Sequence, residues 1–227
     1  CDGCGAPLGG VDERCMGCRF TSYCSAACYK AHWKAAHKVV CKAVGAAKFA
    51  RTTTHAIAGN SVAMLRLGIF YKIGTGVAKD ELEMVAWWRR AASAGNPAAQ
   101  FSLGCLYENG EGVEKDFAVA VTWYRKAAEQ GEPFAQCCLG ECFRNGSGVT
   151  KDLIDAVRWF RKSAEQGNVT AQFRLGFCYE EGEGVHQDYV QAYLWYEKSA
   201  LQGDLVGMCY LGSCFSIGRG TSIDLAK

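Results

Sequence analysis

The dipeptide Leu-Gly returns at a fixed interval: Leu67-Gly68, Leu103-Gly104, Leu139-Gly140, Leu175-Gly176 and Leu211-Gly212, each 36 residues after the last. A Gly-x-Gly follows in step (Gly74/Gly76, Gly110/Gly112, Gly146/Gly148, Gly182/Gly184, Gly218/Gly220), then an Asp (Asp80, Asp116, Asp152, Asp188, Asp224). Four units add a Trp: Trp87, Trp123, Trp159 and Trp195. A period of this size marks a solenoid, whose units cannot bury their apolar faces alone and so stack on their neighbours. Residues 60–227 are fully taken up by such units: 60–95, 96–131, 132–167, 168–203 and a partial 204–227.

Each unit reads as two helices. The first starts after Asn60, Asn96, Glu132, Asn168 or Asp204, mostly good N-cap residues, with Pro97 and Pro133 at the first helical position where Pro is tolerated. It ends at the first Gly of Gly-x-Gly, which suits a left-handed cap. The Asp after the loop caps the second helix, which carries an aromatic pair (Trp87-Trp88, Trp123-Tyr124, Trp159-Phe160, Trp195-Tyr196). Small residues such as Ala99, Gly104 and Ala128 let the helices approach closely. Met64 and Met84 depart from the later units, which have Gln and Ala there. The fifth unit stops just after Asp224, so its second helix is missing and an apolar face is left uncovered unless the chain continues. The pattern A-Q-x-x-L-G-x-x-Y-x-x-G-x-G-V-x-x-D resembles the Sel1-like repeat, a relative of the tetratricopeptide repeat. The resemblance implies an all-α, right-handed α-solenoid of helix-turn-helix repeats.

The chain has 14 Cys, and seven lie in the first 41 residues: Cys1, Cys4, Cys15, Cys18, Cys24, Cys28 and Cys41. Seven is odd, which argues against a disulfide framework. With His37 they make eight soft ligands, enough for two closed tetrahedral zinc sites. The spacing reads C-x2-C, C-x2-C, C-x3-C and H-x3-C, and the four-residue pairs suit one face of a helix. Spacing alone allows either a sequential or an interleaved pairing. The strings C-D-G-C, C-M-G-C, Y-C-S-A-A-C and H-W-K-A-A-H-K-V-V-C resemble a MYND-type zinc finger over residues 1–41. That resemblance implies the interleaved pairing: Cys1, Cys4, Cys24 and Cys28 hold one ion, and Cys15, Cys18, His37 and Cys41 the other. It also leaves His32 out of the ligand set. Eight ligands saturate both ions, so the zinc is structural, and its binding supplies the folding free energy that so small a module lacks, on the order of 10 kcal/mol per site.

Between finger and repeats, residues 42–59 read either as a helix capping the solenoid or as a flexible linker; the Ala-rich composition favours the helix. The Gly-x-Gly motifs lack the third Gly and preceding strand of a nucleotide loop and recur in every unit, so they read as turns. The remaining seven cysteines all fall on first helices; Cys142, Cys178 and Cys214 occupy one slot that holds Phe70 and Leu106 earlier, so they read as small apolar fillers. Zinc thiolates imply a reducing compartment, hence an intracellular, cytoplasmic or nuclear protein. No apolar run reaches the length of a membrane span.

In this repeat class the first helices line the concave face. One stripe packs (Ala99, Leu103, Tyr107) and the stripe offset by one varies: Arg66 and Ile69, Ser102 and Cys105, Cys138 and Glu141, Arg174 and Phe177, Tyr210 and Ser213. Such variation fits a peptide groove or an unconstrained solvent face. The candidate partner-binding residues are Arg66, Ser102, Glu141, Arg174, Phe177 and Tyr210. Some MYND relatives bind Pro-rich peptides on a helix surface with a Gln and a Trp; here Trp33 is present and Tyr29 replaces the Gln, and packing against the zinc core is the alternative role for Trp33. Residues 60–227 carry 17 basic and 20 acidic residues, and thiolate binding removes the finger's positive charge, so nucleic acid is the weakest of the candidate partners. The leading reading is a non-enzymatic, zinc-binding adaptor for proteins or peptides, monomeric through its repeats. The alternative is an accessory region of a larger enzyme, such as a chromatin-modifying complex.

Overall fold

A computed structural model describes residues 13–14, 22–23 and 38–220. Strands β1 (Glu13–Arg14) and β2 (Ser22–Tyr23) pair antiparallel, Glu13 opposite Tyr23 and Arg14 opposite Ser22. The other regular elements described are ten α-helices. The chain divides into two compact units, Cys1–Ala94 and Gly95–Lys227. The first holds α1 (Lys38–Ile57), α2 (Ser61–Ile73) and α3 (Glu81–Ser93); the second holds α4 (Pro97–Asn109), α5 (Phe117–Glu129), α6 (Pro133–Asn145), α7 (Leu153–Glu165), α8 (Val169–Glu181), α9 (Tyr189–Leu201) and α10 (Leu205–Ile217).

Local chemistry sets the helix ends. Asn96 accepts from the Ala99 N–H at 3.0 Å to open α4, and Asp116 accepts from Val119 at 3.0 Å to open α5. Glu132 takes the same role for α6, accepting from Ala135, with Pro133 behind it. At the far end Gly146 stops α6 with φ 75° and donates its N–H to the Cys142 carbonyl at 2.9 Å. A β-carbon in that left-handed conformation would cost about 1–2 kcal/mol.

Packing within a repeat centres on the Leu-Gly dipeptide. A β-carbon at Gly140 on α6 would lie 2.6 Å from Cε1 of Phe160 on α7, and one at Gly176 on α8 would lie 2.7 Å from the Tyr196 ring on α9. Gly68 and Gly104 meet the rings of Trp88 and Tyr124 still more closely. The second residue of each aromatic pair therefore rests on the first helix of its own repeat, and Tyr124, Phe160 and Tyr196 are fully buried. The first residue of each pair faces a cation three positions on: Arg90, Lys126, Lys162 and Lys198 lie 4.6, 4.6, 4.3 and 3.9 Å from the ring centres of Trp87, Trp123, Trp159 and Trp195.

Two devices join successive repeats. Buried Gln136 on α6 donates to the Ala128 carbonyl of α5 at 3.1 Å and accepts from Gln166 after α7 at 2.8 Å, so one amide ties three helices. Gln172 repeats this with Ala164 and Gln202. Met64 has no amide to offer at that position, so the first unit lacks the ladder. The second loop glycine does the rest: Gly148, at φ 71°, lies against the Phe117 carbonyl, where any β-carbon would overlap it.

The same contact defines α1. Gly76 lies against the carbonyl of Gly45, which stands 36 residues before Glu81, the first residue of α3. Residues 45–57 thus occupy the place of a preceding repeat's second helix, with Ala56 only 1% exposed. The remaining residues of this 20-residue helix replace a loop with continuous helix, and they include Cys41.

Two glycine substitutions separate these roles. Gly140→Ala drives a methyl into Phe160 and should destabilise by about 1–3 kcal/mol. Gly212→Ala, whose β-carbon meets nothing within 4 Å, should stabilise by up to about 1 kcal/mol through helix propensity. Urea midpoints of the two variants against the native chain check both signs.

Candidate protein-binding surfaces

Of the candidate zinc ligands, Cys1, Cys4, Cys15, Cys18, Cys24, Cys28 and His37 lie outside the described residues, as do Tyr29 and Trp33. Cys41 falls within the first turns of α1. Among the described residues no group of three His, Cys, Asp or Glu could hold a metal ion.

The first-helix face of the second unit is described in full. The two varying stripes of the sequence turn out to be partners. Cys105 on α4 lies near Cys138 on α6, Glu141 on α6 forms an ion pair with Arg174 on α8, and Phe177 on α8 meets Tyr210 on α10 edge-on at 6.5 Å. Each pair is 33 residues apart in sequence, and its members match in chemistry: thiol with thiol, acid with base, ring with ring. These positions are therefore half-buried joints between neighbouring first helices. Ser102 bonds back to the Ala98 carbonyl at 2.8 Å, and Arg66, in the first unit, is exposed.

Around the ion pair the face becomes richer than the sequence reading had it. Arg144 donates from Nε to Glu183 at 2.8 Å, stands 4.0 Å from Glu141, and lies 5.1 Å from the Phe177 ring centre. Arg174 lies 5.7 Å from the Phe173 ring. On one side Phe134 stacks at 6.0 Å on Phe101, which stacks at 6.0 Å on buried Tyr124. On the other, Tyr210 closes on Phe173 at 5.1 Å and on Tyr196 at 5.2 Å. Phe134 is 58% exposed although large and apolar. Sequence reasoning missed Phe101, Phe134, Arg144 and Phe173. The available signal for Phe134 was a Phe where the neighbouring units have Ala98 and Thr170.

The buried polar groups here are structural. Tyr124 donates its hydroxyl to Glu108 at 2.5 Å and Tyr196 to Glu180 at 2.7 Å. Burial first, and these acceptors with it, push both phenols well above their ordinary range. Burial likewise pushes the thiols of Cys137, Cys142 and Cys178 up to about 12. They stay protonated at neutral pH and are poor nucleophiles. Cys105, Cys137, Cys138, Cys142, Cys178, Cys209 and Cys214 are all unbridged.

The Sel1 repeat matches residues 61–96, 97–132, 133–168 and 169–204, and the MYND finger matches residues 1–41. The chain belongs to the Sel1 repeat family. The Sel1 repeats are 43% identical, over 76% of this chain and 37% of the other, to a protective antigen present in uropathogenic Escherichia coli strains and displaying an SLR fold, with a TM-score of 0.74. A Sel1 repeat protein from Oxalobacter formigenes is 39% identical over 72% of this chain and 66% of its own, with a TM-score of 0.68. The chain therefore spans less than two thirds of the length of both. No curated protein matches it. No helix among the described residues is long and apolar enough to cross a membrane.

Among the seven repeat cysteines, exposed Cys209 should alkylate first in the native protein at mildly alkaline pH. Cys137, Cys142 and Cys178 should react only on unfolding. Timed iodoacetamide labelling with peptide mass spectrometry reads the order directly.

Proposed function

We propose that the protein is a non-enzymatic adaptor that holds protein partners through its finger and through the first-helix face of its Sel1 repeats. Sel1 solenoids and MYND fingers are both protein-interaction modules. The observation that carries the reading is Phe134, which is 58% exposed and extends the ring series of Tyr124 and Phe101 into solvent from the helix that also carries Glu141 and Arg144. Aromatic and Arg side chains on a rigid support are the usual anchors of protein interfaces. A peptide with an apolar side chain for the Phe101–Phe134 platform and flanking polar groups fits this face. Two tethered binding modules would raise avidity for a partner that touches both.

In the finger, Cys1, Cys4, Cys24 and Cys28 hold one Zn2+, and Cys15, Cys18, His37 and Cys41 the other. The donor set fits: seven thiolates and one imidazole fill two tetrahedra with no position left for substrate, so the metal supplies folding free energy. Tyr29 and Trp33 form the finger's surface for a Pro-rich peptide. Thiolate zinc ligation places the protein in a reducing, intracellular compartment.

Elemental analysis should find two zinc ions per chain, and Cys41→Ser should lower this to about one under the closed-site assignment. Peptides enriched from a random display library on the full chain should bind Phe134→Ala about tenfold more weakly, a loss of about 1.4 kcal/mol, with the unfolding midpoint unchanged. Equal affinity for Phe134→Ala and the native chain would remove the first-helix face from the reading.

A further inference from the structure

At the start of the repeats, α1 and α2 enclose a cleft of about 450 Å3 lined by Arg51, Thr52, His55, Asn60, Val62, Ala63 and Arg66. Three of these are basic and exposed, and no carboxylate among the described residues pairs with them. By contrast Arg174, at the register of Arg66, is held by Glu141.

The register makes the chemistry of this cleft a departure from the fold. Residues 51, 52 and 55 of α1 stand 36 residues before Trp87, Trp88 and Ala91. In each later second helix those positions are Trp, a ring resting on glycine, and a small residue that is 0% exposed: Ala91, Ala127, Ser163 and Ser199. In α1 they are Arg, Thr and an exposed His. Terminal repeats need a polar outer face, but solubility alone is met by any mixture of charges. Here both charged side chains, Arg51 and Arg66, are cationic. The segment around them shares this sign: residues 42–94 hold eight Lys/Arg against three Asp/Glu, while residues 95–227 hold twelve against seventeen.

We infer that the α1–α2 cleft is a binding site for an acidic peptide segment of a protein partner, whose carboxylates pair with Arg51 and Arg66 while an apolar side chain lies on Val62 and Ala63. The inference rests on the adaptor reading and names the partner chemistry for one site. Guanidinium groups suit carboxylates because their planar fork can donate two parallel hydrogen bonds. The Thr52 hydroxyl already donates to the Lys48 carbonyl and the Asn60 side chain already accepts from Ala63, so the two arginines and His55 carry the recognition. The open cleft and its apolar wall fit a chain segment rather than a free inorganic anion.

The test is fluorescence anisotropy on the full zinc-loaded chain. The probes are a short fluorescein-labelled peptide of Asp and Glu flanked by Leu, its Asn/Gln isostere, and its Lys counterpart. The acidic peptide should bind at least tenfold more tightly than the isostere. Arg51→Ala/Arg66→Ala should lose about tenfold or more, the scale of a charge-assisted hydrogen bond. Arg158→Ala should lose nothing. Arg51→Glu/Arg66→Glu should prefer the Lys peptide, which a misfolded variant would not do. Equal binding of acidic and neutral peptides, or displacement of the acidic peptide by inorganic phosphate at a matching carboxylate-equivalent concentration, overturns the inference. Loss of acidic-peptide binding in Phe134→Ala but not in Arg51→Ala/Arg66→Ala overturns it too and leaves the adaptor reading standing. Failure of both peptide searches, here and on the first-helix face, removes both.

Discussion

An aromatic ring from each second helix rests on the backbone of its own first helix at a glycine, and the spacing of the whole array follows from that contact. Gly68, Gly104, Gly140 and Gly176 have no side chain to hold the helices apart, so Trp88, Tyr124, Phe160 and Tyr196 approach the first-helix backbone. Close approach brings the second loop glycine of a repeat against the start of the preceding second helix, as Gly148 meets Phe117. It also brings Gln136 and Gln172 within hydrogen-bond reach of two second helices at once. Each of these contacts is sterically intolerant, since interiors are packed at crystal density. That intolerance is the physical reason the 36-residue interval admits no insertion.

A frame fixed this way leaves the first-helix face free to change chemistry from repeat to repeat, and in the second unit the changes are matched: Glu141 pairs with Arg174 and Phe177 with Tyr210, each 33 positions later on the next first helix. The arginines lie half-buried, where ion pairs are less screened than at an open surface. Arg144 and Arg174 are pre-positioned by Glu183 and Glu141, so a ligand that displaces neither pair meets ordered cations and rings. Order of this kind lowers the entropy lost on binding.

The first unit breaks the rules in one consistent direction. Helix α1 keeps the small Ala56 and the Gly45 contact that docking requires, yet it replaces the residues that would face a first helix of its own repeat with Arg51, Thr52 and His55. What the fold demands is retained, and what it does not demand is basic. The same helix continues back through Cys41, so the last of the candidate zinc ligands and the residues that cap the repeats lie on one helix.

The sequence by itself determined the helices, their caps and their stacking order, because these depend on short-range chemistry repeated in register: Asn96 and Asp116 at N-caps, Gly146 at a left-handed stop, Leu-Gly opposite an aromatic pair. It also marked Cys142, Cys178 and Cys214 as core fillers, which their burial bears out. It set out eight candidate zinc ligands by spacing. The candidate binding surfaces were only partly legible. Variation at Glu141, Arg174, Phe177 and Tyr210 looked like freedom, and only the tertiary structure decided that they are joints between helices. Arg66 was singled out, but the exposure of Phe134, the contacts of Arg144 and the meeting of Arg51, His55 and Arg66 in one cleft were out of reach, for a physical reason. Exposure, pairing and the sharing of one cleft depend on which residues of different helices meet, and that distance is set by packing between repeats rather than by the periodicity within them.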